Sequence, residues 1–387
     1  MDSSLSLFRV RGIAIRVHIT FPLILIWSAI QFGVLAGRGL QGAIFGVVVT
    51  LLLFAIVVLH ELGHSVVALH YGVPVKQIVL LPIGGVAQVE RIPEQPRQEF
   101  MIAIAGPLVN FALAIVLGLA ALAAGQSLGL ERLALALSGL GSANLSGVFA
   151  YVFASNIFIG LFNLLPAFPM DGGRVLRALL ATRLDYGRAT SIAVFVGQTL
   201  AWVLGLWGFL GGGFFLILIA VFIYIGAGQE GRMVQVRRVL KGINVGQVYS
   251  RQARTLRPES TLAEAVEVTL NSFQSDFPIC DGERLVGLLT HTRLIEALQN
   301  HAPGTPMARI MLPGVEPVSP QEGLYLVQQR MAKDRIDALP VVEEGRFVGL
   351  ITNRDINEAY LIVSSQPQVV GSDRTQWTPV EELGEAA

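Results

Sequence analysis

A single cysteine, Cys280, stands in 387 residues. An intrachain disulfide is therefore excluded, and so is any thiolate cluster built by this chain alone. A bound metal is left with nitrogen and oxygen ligands. Charge is scarce too: 14% of the residues are Asp, Glu, Lys or Arg against 53% apolar, and 28 basic residues balance 28 acidic ones. Net neutrality removes the global electrostatic case for nucleic acid. No basic tract interleaved with aromatics supplies a local one, so no nucleic-acid partner is expected. The remaining balance is that of a membrane protein.

Six apolar runs read as membrane spans, long enough to cross a hydrocarbon core of about 30 Å, the last of them short. They are Phe21 to Gly37, Ala43 to Leu69, Phe100 to Ala124, Val148 to Leu165, Ala189 to Leu210, and Phe214 to Gly228. The first follows Arg9, Arg11 and Arg16 but lacks a small-residue cleavage site and precedes further spans, so it reads as retained. Only Gly211, Gly212 and Gly213 separate the last two runs, as in a tight helical hairpin. Six spans place Arg9, Arg11, Arg16, Lys76, Arg91, Arg97, Arg174, Arg177, Arg183 and Arg188 on one face, and Arg38 and Arg132 on the other. The basic face is expected to be cytosolic, with both termini on it, in a multi-pass cell-membrane protein surrounded by lipid.

After the last span a basic connector (Arg232, Arg237, Arg238, Lys241) leads into a region of soluble composition. That region repeats with an offset of 62 residues: Pro258, Leu262, Pro278, Gly287, Thr290 and Ala297 recur as Pro320, Leu324, Pro340, Gly349, Thr352 and Ala359. Each copy reads helix, strand, turn, strand, helix, and the two are expected to pack together. The expected organisation is a six-helix membrane domain with a small interfacial β element over 1–230, then a linker over 231–244. Two α/β copies follow over 245–300 and 301–362, and a disordered tail over 363–387.

Chemistry concentrates in His60-Glu61-Leu62-Gly63-His64. Two histidines four apart on a helix project from one face and can grip one ion, and the adjacent glutamate can take a proton from water acidified by that ion. The bare pattern has modest specificity. Its place inside an apolar helix adds weight, because ionisable groups there cost several kcal/mol unless paired or metal-bound. Asp171 is the best candidate for a third ligand. It sits in Asn163-Leu164-Leu165-Pro166-Ala167-Phe168-Pro169-Met170-Asp171-Gly172-Gly173, where prolines and glycines break a membrane helix. The competing reading is that Asp171 caps the helix that follows it. Residues Lys76 to Glu90, around Gly84 and Gly85, read as a hairpin whose edge either pairs with an unwound substrate segment or forms an ordinary interfacial loop. Ala105-Gly106-Pro107, Asn110 and Asn156 read as helix-packing positions.

These elements together resemble the site-2 protease family of intramembrane metalloproteases, from about Gly12 to Gly228. The resemblance implies one zinc ion held by His60, His64 and Asp171, with Glu61 as general base and hydrolysis within or beside a substrate transmembrane helix. It implies that Asn163 helps bind substrate backbone. Expected partners are single-pass membrane proteins, such as anti-sigma-factor-like proteins or membrane-tethered transcription regulators. The soluble repeat resembles a pair of cystathionine-β-synthase (CBS) domains, which implies an adenine nucleotide (ATP or AMP) as regulator. Gly349, Thr352 and Asp355 match that family's pattern. In the first copy Gly287 and Thr290 are kept but Arg293 replaces the aspartate, so that site is either lost or altered to meet phosphate. A structural pair, or one that makes a homodimer, is the competing reading. For the whole chain, the alternatives are a nucleotide-gated transporter or channel and a catalytically inactive scaffold.

Overall fold

In the computed structural model the described residues are 4–82, 84–89, 93–125, 129, 133–135 and 144–365. The chain divides into two compact units, Met1–Arg232 and Met233–Ala387. Arg91, Arg132 and the tail beyond Ser365 lie outside the described residues.

The first unit opens with a hairpin that composition alone did not announce, β1 (Ser4–Val10) and β2 (Ile13–His18). A crossover through α1 (Pro22–Ala29) and α2 (Gly39–His70) returns the chain to β3 (Val75–Leu81), parallel to β2 as such a long connection allows. β4 (Gly84–Val89) pairs antiparallel with β3, giving the order β1-β2-β3-β4 and leaving β4 at an edge. Alternation sends Ile13 and Ile15 of β2, and Ile78 and Leu80 of β3, into one core with Phe21, Phe54 and Ala68, and the register irregularity between Val75 and Gln77 brings Val75 to the same core. That core clamps the sheet against α2.

Among the described residues five helices are long and apolar enough to cross a membrane: α2, α3 (Pro96–Ala123), α4 (Leu145–Asn163), α6 (Tyr186–Leu210) and α7 (Phe214–Leu240). The first expected span differs. It forms α1 and a π-helical turn, Ile30–Leu35, in which the amides of Ala36 and Arg38 reach back five residues to the carbonyls of Gln31 and Gly33. Gly37, at a φ of 67°, ends it. Pro22–Leu35 rises about 21 Å, short of the hydrocarbon core. Helix starts follow the local chemistry. Pro22 and Pro96 sit in first turns, Asn144 caps α4 by accepting from the Gly147 amide, and Asp185 caps α6 by accepting from the Gly187 and Arg188 amides. Between α4 and α5 (Asp171–Ala181) the backbone is broken, with a cis Phe168-Pro169 bond.

In the second unit the first copy is α8 (Leu262–Leu270), β5 (Phe277–Asp281), β6 (Arg284–Leu289) and α9 (His291–Asn300). A short α10 (Met307–Ile310) and β7 (Leu312–Pro313) lead to α11 (Leu324–Asp334), β8 (Ala338–Glu343), β9 (Arg346–Thr352) and α12 (Asn353–Ser365). The repeated order is the one the sequence implied. Each copy has its own core, and Leu288, Ala338 and Leu350 form a shared cluster that joins them.

Candidate active site

α2 runs unbroken to His70, so His60 lies about 15 Å from its end by helical rise. His60 and His64 face α3 because Gly63 and Gly106 leave no side chain in the way: a Cβ on Gly63 would meet Val109 and the Ala105 carbonyl, and one on Gly106 would strike both Nε2 atoms. Asp171 arrives from the other side, as the first residue of α5. Gly172 and Gly173 let that turn press onto the backbone of Leu164, Leu165 and Ala167. Met170, not Asp171, is the cap residue, and no side chain caps the helix. The Asp171 carboxylate instead lies 3.2 Å from His60 Nε2 and 3.1 Å from His64 Nε2, and the two nitrogens are 3.1 Å apart.

The outer ring nitrogens settle the chemistry of the inner ones. His64 Nδ1 is 2.6 Å from the Ile102 carbonyl, an acceptor only, so this nitrogen carries the proton. His60 Nδ1 meets Asn110 Oδ1, while Asn110 Nδ2 donates to Asn156 Oδ1 at 3.4 Å, so His60 is protonated on the same side. With both rings neutral, their Nε2 lone pairs face each other and a carboxylate oxygen, an arrangement that repels itself unless a proton or a metal ion sits among them. A tetrahedral ion with bonds of 2.0–2.1 Å separates its ligands by about 3.3 Å, close to the spacings here. His60, His64 and Asp171 are all buried, and they form a cluster able to hold a metal ion. The donor set fits zinc, and the partners on Nδ1 are of the kind that orient metal-bound histidines.

Glu61 follows His60 on α2 and is partly buried. Above it runs the start of β4: Gly84 takes a φ of 142°, and a Cβ on Gly85 would press on Val57 and on Cγ of Glu61. The hairpin edge, the carboxylate and the histidine pair thus share one stretch of α2. Asn163 ends α4, and its amide nitrogen turns back to the Ile159 carbonyl at 3.0 Å rather than toward the three donors. Asn110 and Gly106, taken from the sequence as packing positions, belong to the site. A polar residue one turn beyond a glycine in an apolar span was the available signal.

A second buried cluster was not anticipated. Arg177 of α5, counted from the sequence among the charges of the cytosolic face, is fully buried. It donates to Glu99 of α3 at 2.8 Å and to Glu230 of α7 at 2.6 Å, and its guanidinium lies 4.9 Å from the ring centres of both Phe168 and Tyr186. It ties three helices and the broken loop together.

In the soluble unit Asp355 Oδ2 accepts from the amide and hydroxyl of Thr352, at 2.8 and 2.7 Å, and the Ser250 hydroxyl approaches Oδ1 at 3.4 Å. Thr290 caps α9 by accepting from the Arg293 amide. The Arg293 guanidinium donates to the carbonyls of Ile310 and Met311, at 2.9 and 3.2 Å, so it closes α10 and is committed to backbone rather than held ready for phosphate.

The peptidase family M50 model matches residues 48–204, and the CBS domain model matches 245–300 and 307–362. A zinc metalloprotease of Methanocaldococcus jannaschii is 35% identical over 372 residues, covering 95% of this chain and 99% of that protein. Stage IV sporulation protein FB of Bacillus subtilis is 30% identical over 158 residues, 41% of this chain and 49% of that protein. The solved structure of the site-2 protease from Methanocaldococcus jannaschii is 42% identical and covers 59% of this chain and 95% of that one, with a TM-score of 0.42.

Proposed function

We propose, for a chain that belongs to peptidase family M50 and is a site-2-type zinc metalloendopeptidase with a CBS pair, that it cleaves transmembrane segments of single-pass membrane proteins. His60, His64 and Asp171 hold the zinc, and Glu61 is the general base. The observation that carries this reading is the convergence of two imidazole nitrogens and one carboxylate oxygen beside a glutamate, under a sheet edge that no other described strand pairs.

When bound, the zinc supplies Lewis-acid polarisation of a scissile carbonyl and makes water acidic. The protein's own groups do the rest. Asn110 and the Ile102 carbonyl hold the histidine rings in the tautomer that points Nε2 inward. Glu61 takes the proton from the attacking water and returns it to the leaving amine. A peptide bond in a helix is shielded by its own hydrogen bonds, so the substrate must unwind, and edge pairing with β4 at Gly84 and Gly85 offers partners to the exposed backbone. Asn163, at the break between α4 and α5, contributes a further backbone contact. Both termini and the CBS pair are cytosolic: although Pro22–Leu35 is short, β2 pairs with β3, so the segment from α1 to the end of α2 leaves one face and returns to it, and the arginine distribution agrees once Arg177 is set aside. An adenine nucleotide bound at Thr352 and Asp355 regulates the enzyme. Thr290 marks the corresponding place in the first copy, which lacks the aspartate.

The test is cleavage of a panel of single-span substrates by purified wild-type protein and by Glu61→Gln, each with its zinc content measured. Cleavage by the wild type, with loss of about 10²-fold or more in the zinc-loaded variant, is expected. Equal cleavage by both would sink the mechanism.

A further inference from the structure

A cavity of about 380 Å³ lies between α1, its π-helical turn, α2, α4 and the tip of the β3–β4 hairpin. From α2 it is lined by Thr50, Leu53, Phe54 and Val57, and from the hairpin by Pro82 and Gly84. Trp27, Phe32 and Tyr151 supply aromatic wall; the Phe32 and Tyr151 rings meet edge to face at 6.2 Å. The Thr50 and Ser28 hydroxyls in its lining are already paired, Thr50 donating to Ser28 and Ser28 to the Gly46 carbonyl, and apolar side chains outnumber Gln31 in the rest, an environment suited to an apolar guest. Trp27 is 56% exposed, so the cavity opens outward. The π-helical turn that forms one wall is a conformation concentrated at functional positions.

Position ties this cavity to the chemistry. Val57 is one helical turn before Glu61 on α2, about 6 Å by rise, and Gly85 rests on both. Two residues of extended chain span about 6.6 Å. A substrate strand paired on the β4 edge, with its scissile bond at Glu61, therefore carries a side chain over the cavity about two residues from that bond. The alternation of a strand aims every second side chain to the same face.

We infer that this cavity is a specificity subsite for a large apolar or aromatic side chain of the substrate's membrane segment, about two residues from the scissile bond. The inference rests on the protease reading above and adds the substrate feature that selects the cut. Leu53 is the residue on which the volume turns, since it faces the cavity without touching the donor set.

The experiment uses the purified full-length protein and one cleaved single-span substrate, in which each of the three residues on either side of the cut is changed in turn to Ala, Leu, Phe or Trp. The quantity read is the Phe-to-Ala ratio of kcat/KM at each position. For the wild type it is expected to exceed about 10-fold at one position, two residues from the cut, as is usual for an apolar pocket. In Leu53→Trp that ratio falls to near one or inverts, and in Leu53→Ala the preference moves to Trp, with zinc content at wild-type level reporting the fold of both variants. Unchanged ratios in both variants overturn the inference while leaving the protease reading standing. An unchanged ratio together with loss of a co-purified lipid from Leu53→Trp also overturns it and assigns the cavity to an acyl chain. Absence of Glu61-dependent cleavage in the wild type defeats the protease reading itself, and the subsite with it.

Discussion

In the proposed zinc site, His60 and His64 depend on what stands behind them. Asn110 and the Ile102 carbonyl hold the proton of each ring on Nδ1. Asn110→Leu is therefore expected to weaken zinc binding about 10- to 100-fold, read by competition with a chelator, without removing a ligand. Gly106→Ala places a methyl group against both Nε2 atoms and is expected to abolish zinc binding while the helices persist by circular dichroism. Away from the membrane, Asp276 is buried beside Asp337, and burial raises its pKa above the usual carboxylate value. A raised carboxylate disfavours the fold above its native pKa, and that cost disappears below the unfolded pKa, about 4. Asp276→Asn keeps an oxygen for the His291 amide, which now donates to Asp276 Oδ1 at 3.1 Å. Calorimetry on the full chain is expected to show the variant more stable than wild type at pH 8, with the difference shrinking toward pH 4. The Cys280 thiol is buried and pushed up to about 11, so it should resist alkylation at pH 8 until the protein unfolds.

α5 carries Asp171 at its first residue and Arg177 two turns on, so the ion-pair cluster at Arg177 fixes the helix that presents the third donor. Arg177→Met would strand Glu99 and Glu230. The expected cost is about 3–5 kcal/mol, measured as a loss of thermal stability, because a buried carboxylate without its partner is worse than no pair. Much of this architecture was legible in the sequence. The histidine spacing placed two donors on one face of α2, the Pro/Gly-rich break located Asp171, and the 62-residue repeat gave the order of helices and strands in both soluble copies. The rest depends on contacts between segments far apart in the chain. Arg177 looks like an interfacial charge until Glu99 and Glu230, 78 and 53 residues away, are folded against it. β1 and β2 became readable as strands only once β3 lay beside them, and the first apolar run, Phe21 to Gly37, is helical only over Pro22–Leu35, its last part wound as a π-helical turn.

The chain joins a zinc metallopeptidase unit to a CBS pair, and the two soluble copies are no longer equivalent. Asp355 accepts hydrogen bonds from Thr352, whereas Arg293, at the matching place in the first copy, is tied to backbone carbonyls. One nucleotide per chain is therefore the expected stoichiometry in calorimetric titration with ATP or AMP, and Asp355→Ala should weaken that binding about 10-fold or more, through lost charge-assisted hydrogen bonds. Two sites of equal affinity, or binding indifferent to Asp355, would contradict the asymmetry. Where the peptide bond is cut, and by which groups, decides the proposed function. Mass spectrometry of the products from a single-span substrate, incubated with the full-length wild-type protein, measures this directly. For an intramembrane metalloprotease, one principal cut within or beside the apolar segment is expected, lost on zinc chelation and in zinc-loaded Glu61→Gln. A cut confined to the substrate's soluble regions, or one that persists in Glu61→Gln, would contradict it.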